Sequence, residues 1–131
     1  MTGPSGYPSV IRRYWYSIDW DVKELWALDL PVAAVGIEPL LWHLDVPVWP
    51  DPDGRPYRVT PRAVMADPAG HEVEYRRIMA ADTGFPIEVI DRDGRPMILD
   101  GIHRLTRLWA DGAKTIRIRH VPPAAVRWPD L

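Results

Sequence analysis

The chain has 131 residues, a formal charge of -2, 47% hydrophobic and 26% charged residues, and no cysteine. This describes one folded domain with room for a pocket. It excludes disulfides, thiol nucleophiles, zinc ribbons and iron–sulfur ligation, and it leaves no broad attraction to a phosphate backbone, so nucleic acid is not an expected partner.

Fifteen prolines and nine glycines predict short elements and sharp turns. Seven tryptophans stand against one phenylalanine. Each brings a large apolar area and one N–H donor, which suits a core first and a pocket wall second. Arginine outnumbers lysine fourteen to two, the bias of a GC-rich bacterial genome. No leader-like N-terminus and no long apolar run is visible, so the expectation is a cytoplasmic, soluble protein with no membrane partner.

In chain order, Met1 to Ser9 reads as a flexible arm, and residues 10–131 as a single domain. Val10 to Trp20 mixes β-branched and aromatic residues, as a strand or an aromatic-lined extended segment does. Asp19 or Asp21 caps a short helix over Val22 to Asp29, with Leu25, Trp26 and Leu30 on its apolar side, and Pro31 ends it. Val32 to Ile37 reads as a buried strand, and Glu38-Pro39 opens a helical turn through Trp42. Val46 to Trp49 and Tyr57 to Thr60 flank the turn DPDGRP at Asp51. Thr60-Pro61 and Asp67-Pro68 both read as a cap followed by proline, the second opening a helix to Ala81 with Val73, Ile78 and Met79 facing the core.

Pro86 to Ile90 and Pro96 to Leu99 flank DRDGRP at Asp91, a second hairpin needing the same kind of turn as the first. A helix from Gly101 to Asp111 places Ile102, Leu105, Leu108 and Trp109 at helical spacing and stops at Gly112. Lys114 to Val121 alternates as a half-buried strand, and the tail after Pro122 carries no clear element. The fold class is α+β, a short mixed sheet with helices packed around it.

The chemistry concentrates in Pro96 to Leu105, where a buried strand ends at Asp100 and a helix begins at once. The first N–H groups of that helix have no internal partner and, with its dipole, favour an anion. Gly101 lets a ligand approach the backbone. Arg104 offers a planar fork for phosphate or carboxylate oxygens, and His103 adds a donor that titrates near neutrality. Asp100 is placed to cap the helix, to orient His103 or to help hold a cation. Together these residues describe a phosphate cradle. Two further pairs, His71 with Glu74 and His43 with Asp45, do not assemble the four ligands of a structural zinc site. The paired arginines, among them Arg117 and Arg119 on one strand face, read as solvated faces.

The run FPIEVI (Phe85 to Ile90), MILDGIHRL (Met97 to Leu105) and GAKTIRIRHV (Gly112 to Val121) resembles the ParB N-terminal/sulfiredoxin-like superfamily. Val32 to Leu44 resembles that family's first strand and the turn after it. The resemblance implies a ParB/sulfiredoxin-like domain with a nucleotide at the cradle. Sulfiredoxins hold ATP there and use a cysteine just before the His-Arg pair; this chain has Ile102 in that place and no cysteine, which excludes their repair chemistry. ParB proteins bind CTP through an arginine-rich version of the motif and carry a separate helical DNA-binding domain, which the segments here do not resemble. The motif is most similar to the DGHHR-like motif of ADP-dependent free-serine kinases, with Ile102 in place of the first histidine.

The resemblance therefore implies a small-molecule phosphotransferase acting on a hydroxyl. ADP or ATP, or else CTP, would be bound by Gly101, Ile102, His103 and Arg104, with Mg2+ expected. Asp100, His103 and a general base complete the catalytic set, and Glu38, directly after the first strand, is the base expected by position, followed by Asp45. Asp82, just before the Pro86 strand, is a further candidate to line the pocket. The alternatives are a catalytically inactive nucleotide sensor, in which Ile102 marks lost chemistry, and a ParB-type DNA-binding or nuclease module.

Overall fold

The computed structural model describes residues 8–15 and 18–128. The arm read over Met1 to Ser9 lies outside the described residues except for Pro8 and Ser9. Four strands are described, β1 (Val32–Gly36), β2 (Ile87–Arg92), β3 (Arg95–Asp100) and β4 (Thr115–His120). They form one mixed sheet in the order β1-β4-β2-β3. β1 and β4 are antiparallel, β4 and β2 parallel, and β2 and β3 an antiparallel hairpin. Five helices surround it: α1 (Ser9–Tyr14), α2 (Val22–Trp26), α3 (Pro61–Ala66), α4 (Glu72–Ala80) and α5 (Ile102–Ala110). Short 3-10 turns at Glu38–Asp45, Pro68–His71 and Pro123–Ala125 complete the elements of the described residues. The α+β class read from the sequence is the class observed. No helix among the described residues is long and apolar enough to cross a membrane.

Each sheet face has its own core. Ile87, Val89, Ile98, Ile116 and Ile118 pack on one side against Leu105 of α5 and against Leu40 and Leu44. On the other side Ile90, Met97, Leu99 and Val121 meet Tyr14, Leu25 and Val126 from the two ends of the chain. A third cluster, Trp49, Val59, Val64 and Ile78, gathers under α3 and α4. Ile102 packs against both the first and the third cluster, so it ties α5 to each.

The tryptophans do more than fill this core. β3 is the last strand of the sheet, and an open edge strand leaves a row of unpaired backbone groups. Here Trp42 Nε1 donates to the Pro96 carbonyl at 3.1 Å, Trp15 Nε1 to the Ile98 carbonyl at 3.1 Å and Trp20 Nε1 to the Leu99 carbonyl at 3.2 Å. The Ile98 N–H donates to His43 Nε2 at 2.9 Å. Leu99 lies where the β2–β3 register shifts, so no β2 residue stands opposite it; a bulge frees such a carbonyl and Trp20 takes it up.

Several local readings change. The described residues of Val10 to Trp20 form no strand: Ser9–Tyr14 is helical and turns Ile11 and Tyr14 inward, because the edge of β3 accepts side-chain donors here and not another strand. β1 is half-buried and not buried, since it stands at the opposite edge and shows one face to solvent. α4 buries Glu74 and Ile78, four apart, while Val73 and Met79 are exposed. A periodicity count reads Glu74 as an outward charge, and only its partner across the interior explains its position. The caps at Asp21, Thr60 and Asp67 are observed, each accepting a backbone N–H. The helix expected from Pro68 divides into the 3-10 turn at Pro68–His71 and α4. The two DGRP turns also part company. Asp93 and Gly94 take positive φ in a true hairpin, whereas the first turn joins only a single bridge between Trp49 and Val59.

Candidate functional site

β3 delivers Asp100 to the rim of the sheet, and α5 begins two residues later. The link is Gly101, with φ +119°. A side chain there would be strained by its backbone angle, and a Cβ would come within 3.1 Å of the Ile87 side chain and 3.2 Å of Arg104 Nη1. No side chain caps α5, so its first N–H groups keep the anion affinity of a free helix N-terminus.

Two hollows meet at this point. One, of about 370 Å³, is lined by Arg77, Asp82, Asp100, Gly101, His103 and Arg104. The other, of about 520 Å³, is lined by Trp26, Phe85, Pro86, Glu88, Arg104 and Arg119. Phe85 and Arg104 line both, making them lobes of one cleft. Both volumes lie within the range of small-molecule sites. The polar lobe takes its charge from three cationic or titratable side chains and two carboxylates, while the wider lobe presents the exposed rings of Trp26 and Phe85.

Arg104 is held before any ligand arrives. Its Nη1 donates to the Pro86 carbonyl at 2.6 Å and its Nη2 lies 3.6 Å from Asp100 Oδ2. The same Asp100 oxygen accepts from Trp26 Nε1 at 2.9 Å. Asp100 therefore neither caps α5 nor touches His103; it ties Arg104 and the Trp26 ring to the rim of the sheet.

His103 is oriented by residues the sequence did not connect to it. Its Nε2 donates to Glu74 Oε2 at 2.7 Å, and Glu74 is buried and also paired with Arg77 Nη1 at 3.2 Å. Trp49 stacks on the ring with centroids 4.5 Å apart and planes 18° from parallel. The tryptophan-rich segment around Trp49, with no assignment from the motif, thus supplies one wall of the histidine's seat.

In the wider lobe Glu88 and Arg119 form a buried pair at 3.4 Å. Arg119 Nη2 also donates to the Leu25 and Leu28 carbonyls. Glu88 Oε2 and Arg119 Nε have no protein partner. Burial pushes the Glu88 carboxyl above its ordinary value, with Asp100 adding to the rise while Arg119 and Arg104 pull against it.

Of the residues expected from sequence, Asp100, Gly101, His103 and Arg104 come together, with Asp82 on the same lobe. Ile102 lines neither lobe; its side chain is spent on packing. Glu38 lies beside Trp109, Gly112 and Lys114, at the other end of α5, roughly 13 Å along the helix from the motif by its rise per residue. Asp45 pairs with Arg62 at 2.8 Å and does not line the cleft. Arg117 donates to the Gly84 carbonyl. Sequence reading missed Glu74, Trp49, Trp26, Phe85 and Glu88. One of them carried a signal: Glu88 interrupts the apolar run FPIEVI, whose residues 87–90 are the buried part of β2, and an acid there needs a reason.

Comparison with protein-family models, with curated proteins and with solved structures finds no match for this chain.

Proposed function

We propose that this chain binds a nucleotide with its phosphates at the start of α5, and that it transfers a phosphoryl group to the hydroxyl of a small molecule. The observation that carries the reading is the uncapped helix start at Gly101, with His103, Arg104 and Arg77 around it, opening into a second lobe walled by Trp26 and Phe85. The phosphates fit the polar lobe, where helix N–H groups and a guanidinium fork offer charge-assisted donors. A base or sugar fits against the aromatic walls. The proposal includes kinship with the ParB N-terminal/sulfiredoxin-like superfamily, supported by the DGIHR motif standing between a strand and a helix. Asp82 and Asp100 bring carboxylate oxygens to the same lobe, a donor set suited to Mg2+ beside phosphate oxygens. Bound there, the ion would neutralise phosphate charge; the chain's own residues position the nucleotide and hold the proton donors and acceptors.

A second reading is a nucleotide sensor without turnover. Its support is the position of Glu38, which leaves the cleft without the base expected from the motif.

A thermal-shift panel of ADP, ATP, CTP and GTP with Mg2+ tests the binding reading. A ligand at one hundred times its dissociation constant adds about 2.7 kcal/mol, several degrees for a domain of this size. The expected result is a shift with one nucleotide that disappears in Arg104→Ala. No shift with any nucleotide overturns it. Labelled phosphate transfer to a panel of small hydroxyl compounds then separates the enzyme from the sensor.

A further inference from the structure

We infer that Glu74 is a positioning residue that turns His103 into the proton acceptor of the cleft, replacing the glutamate expected after β1; this rests on the phosphotransferase reading above. A carboxylate only accepts hydrogen bonds, so the 2.7 Å contact places the ring proton on Nε2, facing Glu74. Nδ1 is then the bare nitrogen. No hydrogen bond among the described residues reaches it, and the side chain is 33% exposed where it lines the polar lobe. Trp49 fixes the plane of the ring and Glu74 fixes one ring edge, so a flip of the imidazole within that plane costs the Glu74 hydrogen bond and a tilt out of it costs the stack.

The burial of Glu74 points the same way. An acid on a surface helix has no reason to face inward unless a partner there repays its lost hydration. Glu74 has two, His103 and Arg77, and sits deep enough to be 6% exposed. The other charged groups around the ring are Arg104 and Asp100 at the start of α5 and Asp82 from the preceding loop. A carboxylate on the far nitrogen of a histidine holds the tautomer and stabilises the imidazolium that forms when the near nitrogen takes a proton.

The step balances as follows. Nδ1 takes the proton of the acceptor's hydroxyl as its oxygen forms a bond to the terminal phosphorus. The bond from that phosphorus to the bridging oxygen breaks, and its electron pair leaves on the shortened nucleotide. The imidazolium, paired with Glu74, releases its proton to solvent.

The experiment combines ring nitrogen NMR on the full chain, assigned with His103→Asn, with nucleotide binding and labelled phosphate transfer from ATP or ADP to a panel of small hydroxyl compounds. The expected His103 signature is protonated Nε2 and bare Nδ1, lost to a tautomer mixture in Glu74→Ala. Glu74→Gln keeps nucleotide affinity within about threefold and loses roughly 100-fold or more of the transfer rate. A proton on Nδ1, a signature indifferent to Glu74, or full transfer in Glu74→Gln overturns the assignment. A wild type that binds nucleotide but transfers to nothing also overturns it and leaves the binding reading in place. Failure to bind any nucleotide removes the underlying reading instead, and the tautomer alone then decides whether Glu74 positions the ring.

Discussion

His43 and His103 are the same residue in similar company, and they end in different roles. Both rings lie against a tryptophan, Trp42 at 3.9 Å from His43 and Trp49 at 4.5 Å from His103. His43 is fully buried and spends both nitrogens on backbone: Nδ1 donates to the Leu40 carbonyl at 2.7 Å and Nε2 accepts from the Ile98 N–H at 2.9 Å. His103 spends one nitrogen on Glu74, and its side chain lines a cleft. A histidine with both nitrogens used is structure. With one nitrogen unused and a carboxylate behind the other, it has the arrangement that the proposed proton acceptor requires.

The comparison can be broken most sharply at His43. Replacing it by alanine orphans the Ile98 N–H and opens a cavity, at a combined cost of about 3–4 kcal/mol; thermal denaturation should show a midpoint lower by roughly 10–15 °C. His43 also sets a pH dependence. Its pKa is lowered to about 4: burial is the largest cause, the Leu40 carbonyl works against it, and the nearby Arg95 adds a smaller lowering. The folded state therefore binds this proton more weakly than the unfolded chain. The stabilising contribution is full above about pH 6.5 and is lost as pH falls towards 4, amounting to about 3 kcal/mol. Urea titrations from pH 7.5 to 4.5 should show this slope, and it should be flattened in a His43 variant. If the His43 variant keeps the slope, another group carries it.

Changes to the side chains of the cleft should act on binding more than on the fold, and a change at its backbone hinge, Gly101, on the fold. Arg104→Ala removes a guanidinium that lines both lobes, and on the proposed function nucleotide affinity measured by calorimetry should fall by about 10–100-fold, the worth of one charged hydrogen-bonding group. Gly101→Ala meets both the +119° backbone angle and the Ile87 contacts, and should cost about 1–3 kcal/mol of stability in chemical denaturation. The smallest effect belongs to Trp26→Phe. It loses one exposed donor to Asp100, with a stability change below about 1 kcal/mol, and its informative readout is a change in nucleotide affinity as Asp100 is released towards Arg104.

Much of the site was legible because it is local. Asp100, Gly101, His103 and Arg104 follow one another, so a strand ending and a helix beginning bring them together whatever surrounds them. What stayed hidden lies far along the chain. Glu74 is 29 residues from His103 and Trp26 is 74 from Asp100, and no periodicity reports a partner at such distance. Glu38 shows the converse. Its place after the first strand looked suitable in sequence, but β1 pairs with β4 at the edge away from β3, and the chain turns there towards the C-terminal end of α5.

The tryptophans divide in the same way. Their number was plain, and so was their use as large apolar surface. That three indole N–H groups would cover the carbonyl edge of β3 required knowing which strand ended the sheet.

By itself the sequence determined the α+β class, the caps at Thr60 and Asp67, a cap at Asp19 or Asp21 that the structure resolves to Asp21, the hairpin at Asp93-Gly94 and the glycine-started helix. Each depends on backbone angles and short-range hydrogen bonds within a few residues. Tertiary structure alone decided which edge needed covering, which way α4 faces, and which histidine keeps a nitrogen for the cleft. Those outcomes turn on where buried polar groups find partners, and a partner is defined by the packed interior and not by the neighbours along the chain.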